Sequence, residues 1–322
     1  MKIGIIGTIH QDGPSFLKTK NVEIVNIENF EEDNLISNLS EVDGIIVRTP
    51  KLTSKVLSNC KNLKVVARHG VGYDNVDIDY LNKNNIALAI TGKSNAVSVA
   101  EHVMTMMLTL SKNIFASDEL VKSNRFTSKA ELPDFFELYQ KKILILGFGR
   151  IGQALAKRCL GFDMEVYVYD PFIDSEVIKS KMCIPIEVKN GFTIADYISV
   201  HLPINDQTRN IISHNEFKLF KKNLILINTA RGGIINEDAL YEALVNKYIH
   251  AAGLDVFTQE PPESNNQLFS LKNILLTPHN SALTIECRKR MSLESCENVL
   301  FYLKRDEALN KNNIINLKNL NL

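Results

Sequence analysis

The stretch from Lys142 to Asp170, KILILGFGRIGQALAKRCLGFDMEVYVYD, constrains the fold more than any other part of the chain. An apolar run, Ile143 to Leu146, meets three glycines spaced G-x-G-x-x-G: Gly147, Gly149 and Gly152. Ile151, Leu155, Ala156 and Leu160 then recur on one helical face, and a second β-run, Val166 to Tyr169, ends in Asp170. The first glycine permits a tight turn, the second lets backbone approach a pyrophosphate, and the third lets helix and strand pack closely. The helix offers free N–H groups and a positive dipole end to the phosphates. Asp170 stands where an acid accepts hydrogen bonds from the adenosine ribose hydroxyls. A lone glycine motif also fits a packing turn. Strand, turn, helix, strand and acid together predict a dinucleotide site.

The rest of the chain continues the alternation. Residues 1–93 carry short apolar strands at Ile3–Ile6, Glu23–Val25, Gly44–Val47, Val65–Ala67 and Ala87–Ala89. Helical patterns such as Phe30–Leu39 and Ser54–Leu57 fall between them. Continuous apolar strands alternating with helices predict a parallel, doubly wound α/β sheet. Gly4 and Gly7 start a glycine fingerprint that no third glycine completes, so this region reads as a domain with another job. After Asp170 the strands are Asp196–Leu202, Leu224–Asn228, Ala251–Val256 and Ile274–Thr277. A helix over Ala239–Val245, begun at Asn236 or Glu237, lies among them. A helix from Thr284 to Lys304 closes the pattern, followed by an Asn- and Lys-rich tail.

Residues 95–112 predict a helix capped by Asn95, or by Ser98 with Glu101 completing a capping box. Met104, Met106, Met107, Leu108 and Leu110 make it apolar almost all round, as in a core or a subunit interface. His102 on this helix reads as a packing or interface residue. Residues 113–140 read as a polar, irregular excursion.

A chain of 322 residues suggests about two domains. Lys+Arg and Asp+Glu balance at 37 each, and no basic stripe points to nucleic acid. The five cysteines are scattered without a C-x-x-C pair, which argues for free thiols in a reducing compartment and against a zinc site or any other metal. The N-terminus, MKIGIIG, reads as a first strand rather than a signal peptide. The apolar run at 103–110 is too short to span a membrane. These features together suggest a soluble cytoplasmic protein.

Ligands of parallel sheets gather at the carboxyl ends of the strands. Arg231, Asp255, Glu260 and His279 all follow strand ends in the second half, on one rim. In the first half, the loop Arg68-His69-Gly70-Val71-Gly72-Tyr73-Asp74 is either an anion nest or a plain turn. Arg48, just past another strand, is either solvated or part of the same rim.

Several longer stretches carry a resemblance. They are RHGVGYDNVD (68–77), SVAEHVM (98–104), ILGFGRIG (145–152), VYDP (168–171), HLPINDQTRNII (201–212), INTARGGIINEDAL (227–240), AAGLDVFTQEPP (251–262) and LLTPHNSAL (275–283). Through most of its length the chain resembles the D-isomer-specific 2-hydroxyacid dehydrogenases, in particular the short members similar to D-3-phosphoglycerate dehydrogenase. The resemblance implies two doubly wound α/β domains: a flavodoxin-like substrate domain of residues 1–93 plus 285–322, and a Rossmann NAD domain of residues 94–284. The 95–112 helix would mediate a homodimer, and closure of one domain on the other would exclude water.

The resemblance also implies roles. Arg231, Glu260 and His279 would be catalytic: Arg231 on the substrate carboxylate, His279 as general acid for ketone reduction and base for alcohol oxidation, and Glu260 fixing the tautomer of His279 and favouring the imidazolium. The NAD site would comprise Gly147, Gly149, Arg150, Ile151, Gly152, Asp170, His201, Pro203, Thr208, Thr229, Ala230, Asp255, Asn280 and Ser281. Arg150 and Ile151 would meet the pyrophosphate, Asp255 the carboxamide, and Thr229 and Ala230 the nicotinamide side. The substrate would meet Arg48, Arg68, His69, Val71 and Gly72. In phosphoglycerate dehydrogenases, arginines in contexts similar to VRTPKLT and RHGVGYDNVD meet the substrate phosphate, which here implies Arg48 and Arg68.

The chain departs from its relatives in three ways. Asn280 follows the catalytic histidine where relatives often carry a small residue. His69 replaces a residue that is often small or aliphatic. Glu260 is glutamate where formate dehydrogenases carry glutamine, which argues against formate. Relatives with a regulatory domain extend well past residue 322, so no feedback module is expected. Within the family, 3-phosphoglycerate competes with glyoxylate or hydroxypyruvate and with sulfolactate-like acids as substrate. A different class would be a nucleotide-sensing binding protein like the C-terminal-binding-protein corepressors, against which the intact Arg–Glu–His series and the lack of a docking tail argue.

Overall fold

The structure, a computed structural model, describes residues 1–320. The chain divides into two compact units, residues 1–95 with 283–322, and residues 96–282.

The first unit is built on five parallel strands: β1 (Lys2–Ile6), β2 (Glu23–Ile27), β3 (Gly44–Val47), β4 (Val65–Arg68) and β5 (Ala87–Ile90). Their spatial order is β2-β1-β3-β4-β5, the flavodoxin-like arrangement, with its switch point between β1 and β3. β3 and β5 are buried along their whole length because helices cover both faces. Ile6, Leu39, Val47, Val66 and Leu88 pack on one side, and Ile5, Leu17, Ile46, Val299 and Leu300 on the other. Val299 and Leu300 come from the long Ile285–Lys304 helix, whose N-cap Thr284 accepts from the Cys287 amide.

The second unit holds seven parallel strands: β6 (Lys142–Leu146), β7 (Glu165–Tyr169), β8 (Ile184–Pro185), β9 (Tyr197–Val200), β10 (Ile225–Asn228), β11 (Ala251–Leu254) and β12 (Ile274–Leu276). The order β12-β11-β10-β9-β6-β7-β8 is the Rossmann order, and its switch point lies between β6 and β9.

Some sequence expectations change. The helix at 95–112 runs Ala96–Ser111, so Ser98 sits inside its first turn and is not its cap. Its Val103, Met104, Met106 and Met107 are buried against Ile143, Ile145, Leu155 and Cys159, with Leu108 and Leu110 partly buried beside them. The expected irregular excursion holds a helix, Ile114–Lys122, and a 3-10 turn, Phe126–Glu131. The sequence also gave no sign of β8, which is two residues long and half proline. The polar tail is tied down: Ile315 N donates to Leu88 O at 2.8 Å, and Asn316 brackets the same strand by accepting from Leu88 N and donating to Ile86 O. Asparagine side chains there satisfy the open edge of β5, which is why a polar segment stays packed.

Candidate active site

The glycine turn after β6 separates what the protein needs from what a ligand needs. Gly147 has φ +94°, and a Cβ on it would lie 2.7 Å from the His201 carbonyl oxygen. A Cβ on Gly152 would lie 2.2 Å from the Gly147 oxygen. A Cβ on Gly149 would meet nothing within 4 Å. The fold therefore requires the first and third glycines, and the second leaves a cradle open beside the N-terminus of the Arg150–Leu160 helix. The amides of Arg150 and Ile151 precede the first hydrogen bond of that helix, which Gln153 N makes to Gly149 O. Asp170 directly follows β7, beside the glycine turn. Its Oδ2 accepts from the Phe148 amide at 2.7 Å and its Oδ1 from the Phe172 amide at 2.9 Å, so it also braces the glycine turn.

Three buried polar atoms among the residues expected to touch the dinucleotide have no hydrogen-bond partner: His201 Nδ1, Thr229 Oγ1 and Asn280 Oδ1. An unsatisfied buried polar group costs about 1–3 kcal/mol. Three on the strand-end loops after β9, β10 and β12 fit a polar ligand that supplies the missing partners. The Nε2 atom of His201 is held by Ser199 Oγ at 2.8 Å, and burial pushes the ring's pKa down to about 3, so it is neutral. The Thr208 hydroxyl is committed locally. It donates to Pro203 O at 2.6 Å and accepts from Asn205 N, which closes the HLPINDQT loop.

The turn after β10 presents Arg231. Asn228, fully inside at the strand end, accepts from the Ala230 amide and donates to the Arg231 carbonyl, which fixes the turn. The sequence reading passed over Asn228. Its signal was a polar residue ending a buried strand directly before T-A-R-G-G. Arg231 is half-buried, with Nη1 donating to Ala230 O.

Glu260 and His279 come together. His279 Nδ1 lies 2.7 Å from Glu260 Oε2, and Glu260 Oε1 accepts from the Phe257 amide at 3.1 Å. Burial pushes the Glu260 carboxyl up, but the hydrogen bond from His279, the Phe257 amide and the Arg231 charge outweigh it and hold it below its ordinary value. His279 adopts φ 50°, a left-handed conformation that costs energy for a non-glycine residue and is concentrated at functional sites. With Nδ1 engaged, Nε2 is the nitrogen of this half-exposed ring left for chemistry.

Asp255 has no exposed surface. Its Oδ1 accepts from the Thr277 hydroxyl at 2.6 Å and the Asn280 amide at 2.9 Å, and its Oδ2 from the Ser281 amide at 3.0 Å. These three bonds tie the carboxylate to the loop carrying His279. His102 Nε2 extends the chain of contacts, 3.1 Å from Thr277 Oγ1, another connection the sequence did not reveal.

In the first unit, Arg48 follows β3 and donates from Nη1 to Thr8 O just past β1, at the switch point of that sheet. Arg68 donates from Nε to Asn75 Oδ1 at 3.1 Å and from Nη1 to His69 O. Asn75 Nδ2 donates in turn to Pro50 O, so one asparagine braces both arginine-bearing loops. Asp77 caps the Ile78–Lys83 helix. The amides of Val71 and Gly72 have no acceptor among the described residues. Those residues hold no group of three His, Cys, Asp or Glu arranged to bind a metal ion, and no helix long and apolar enough to cross a membrane.

Comparison with known proteins gives the family of this fold. Residues 104–281 match the D-isomer specific 2-hydroxyacid dehydrogenase, NAD binding domain. A hydroxypyruvate reductase of Thermotoga maritima is 36% identical over 92% of this chain and 97% of its own length. A D-3-phosphoglycerate dehydrogenase of Methanocaldococcus jannaschii is 34% identical over 99% of this chain, which spans only 60% of that relative. Among solved structures, a D-lactate dehydrogenase from Aquifex aeolicus, complexed with NAD and lactic acid, superposes with a TM-score of 0.86 at 28% identity, covering 97% of this chain and 98% of the other. With a matched NAD-binding domain, a two-sheet architecture and relatives along nearly the whole chain, this protein belongs to the D-isomer-specific 2-hydroxyacid dehydrogenase family.

Proposed function

We propose that the chain is an NAD-dependent oxidoreductase that interconverts a small D-2-hydroxy acid and its 2-keto acid. The observation that carries this reading is the 2.7 Å pair between His279 Nδ1 and Glu260 Oε2, with Arg231 close enough to act on the same carboxylate. When bound, the dinucleotide donates or accepts the hydride. The chain handles the proton and the charge. Arg231 holds the substrate carboxylate through its planar guanidinium. The Nε2 atom of His279 gives a proton to the carbonyl oxygen in reduction and removes it in oxidation. Glu260, kept ionised by its partners, fixes the ring so that Nδ1 carries a proton and supports the positive charge that forms. Gly149, the Arg150 and Ile151 amides and Asp170 hold the phosphates and ribose, while His201, Thr229 and Asn280 gain partners for their orphaned atoms.

The substrate class follows from the first unit. The Val71 and Gly72 amides complement one carboxylate, and Arg48 and Arg68 at the strand ends suit a second anion, phosphate or sulfonate. A glyoxylate or hydroxypyruvate reductase is the competing reading, supported by the Thermotoga relative. The test is NADH oxidation with 3-phosphohydroxypyruvate, 3-sulfopyruvate, hydroxypyruvate, glyoxylate and pyruvate. No turnover of any of them overturns the oxidoreductase reading, and preference for pyruvate or glyoxylate overturns the second anion.

A homodimer and a reducing compartment complete the proposal. Phe115, Val121, Phe126 and Phe135 are each more than half exposed along one segment, which favours a partner copy there. A monomer by sedimentation at micromolar concentration would contradict it. All five cysteines are buried free thiols, as suits a cytoplasmic enzyme.

A further inference from the structure

His69 is 6% exposed and its Nε2 has no hydrogen-bond partner. Its main chain is fixed, with the amide donating to Val47 O at 2.8 Å and the carbonyl accepting from Arg68 Nη1. The charged groups that bear on the ring are all cations, drawn from three elements: Arg48 after β3, Arg68 on β4 and Arg288 in the first turn of the Ile285–Lys304 helix. Arg288 makes no side-chain hydrogen bond or ion pair among the described residues. Burial, then Arg48 and Arg68, push the His69 pKa down to about 4, so the ring is neutral at working pH in the free protein. A buried ring nitrogen without a partner lies beside several guanidinium groups, next to the switch point of its sheet; with the proton on Nε2, its complement is an anion.

We propose that His69 is a specificity-determining residue, donating from Nε2 to the distal anion of the substrate and coupling the binding of that anion to uptake of a proton. This rests on the second-anion reading above. The physical reason is linkage. An anion placed on Nε2 stabilises the imidazolium, so the ring's pKa is higher in the complex than in the free protein. Binding of the dianion therefore tightens as pH falls through the raised value, and the gain levels off below about 4, where the free ring is also charged. A smaller residue at this position would leave the arginines to bind the anion without that pH dependence.

The experiment compares 3-sulfopyruvate with pyruvate between pH 5 and 8, in wild type and in His69→Ala, His69→Gln and Arg48→Ala. A sulfonate does not titrate in this range, and the ratio of kcat/KM for the two substrates cancels the pH dependence they share through His279. In wild type the ratio should rise as pH falls. In His69→Ala it should drop about ten-fold, the scale of one lost hydrogen bond, through KM rather than kcat. His69→Gln keeps a donor but has no titration, so it should recover much of the ratio while removing its pH slope. Equal effects of His69→Ala on both substrates, or a slope that survives in His69→Gln, overturns the role of His69. If Arg48→Ala lowers the ratio while both His69 variants leave it alone, the second-anion reading stands and this inference falls. If none of the three variants changes the ratio, the second-anion reading itself is wrong.

Discussion

The backbone of Gly232 passes so close to Phe257 that a Cβ on the glycine would lie 1.9 Å from the Phe257 carbonyl oxygen. This contact joins the Arg231 turn after β10 to the segment after β11 that carries Glu260. Gly232→Ala must push the two apart. Overpacking of this kind costs roughly 1–3 kcal/mol. The expected result is a lower Tm together with a loss in kcat/KM larger than the same destabilisation produces at a remote site. Unchanged kinetics in a folded Gly232→Ala variant would mean that this spacing does not set the catalytic geometry.

The Glu260–His279 pair predicts a directional pH effect. Glu260 is held below its ordinary pKa, so it is a carboxylate across the neutral range. The Glu260→Gln exchange removes the charge that supports protonated His279. Keto-acid reduction, which needs that proton, should lose activity at lower pH than in wild type, and oxidation should reach its plateau at lower pH. His279→Gln should lower turnover by about two to four orders of magnitude, the usual scale for a general acid–base group, while NADH fluorescence titration still reports binding. A pH profile identical in wild type and Glu260→Gln would contradict the pairing.

The glycine turn predicts two contrasting variants. Gly149→Ala adds a Cβ to open space, so the protein should fold with a near wild-type Tm and bind NADH about ten-fold or more weakly, because the methyl group occupies the pyrophosphate approach. Gly152→Ala puts its Cβ 2.2 Å from the Gly147 oxygen and should lower Tm first. Equal Tm losses in the two variants would show that Gly149 is a structural glycine like Gly152.

Asp170 should favour NADH over NADPH, since a carboxylate at the ribose repels a 2′-phosphate and Pro171-Phe172-Ile173 supplies no cation. Asp170→Ala should narrow the preference in kcat/KM. It should also lower Tm, because Asp170 accepts from the Phe148 and Phe172 amides. Comparable kcat/KM for both cofactors in wild type would refute the assignment.

By itself the sequence determined the strand–helix alternation and the glycine turn. Both are written in local patterns: continuous apolar runs for strands buried on both faces, and glycines at offsets fixed by backbone geometry. It also named Glu260 and His279, through the stretches they share with a family. Tertiary structure decided how the ends of separate strands are used. The commitment of Asp255 to the amides of Asn280 and Ser281 depends on which loop folds over β11, and no spacing encodes that. The hydrogen bond from the Phe148 amide to Asp170 appears only when β6 and β7 lie side by side. The tail read as a polar appendage because the partner of Asn316 is the edge of β5, more than two hundred residues earlier. His69 shows the same limit. Its sequence neighbours mark a loop, and only the fold gathers Arg48, Arg68 and Arg288 around a ring whose Nε2 is buried without an acceptor, because burial and electrostatic potential are sums over groups that are distant along the chain.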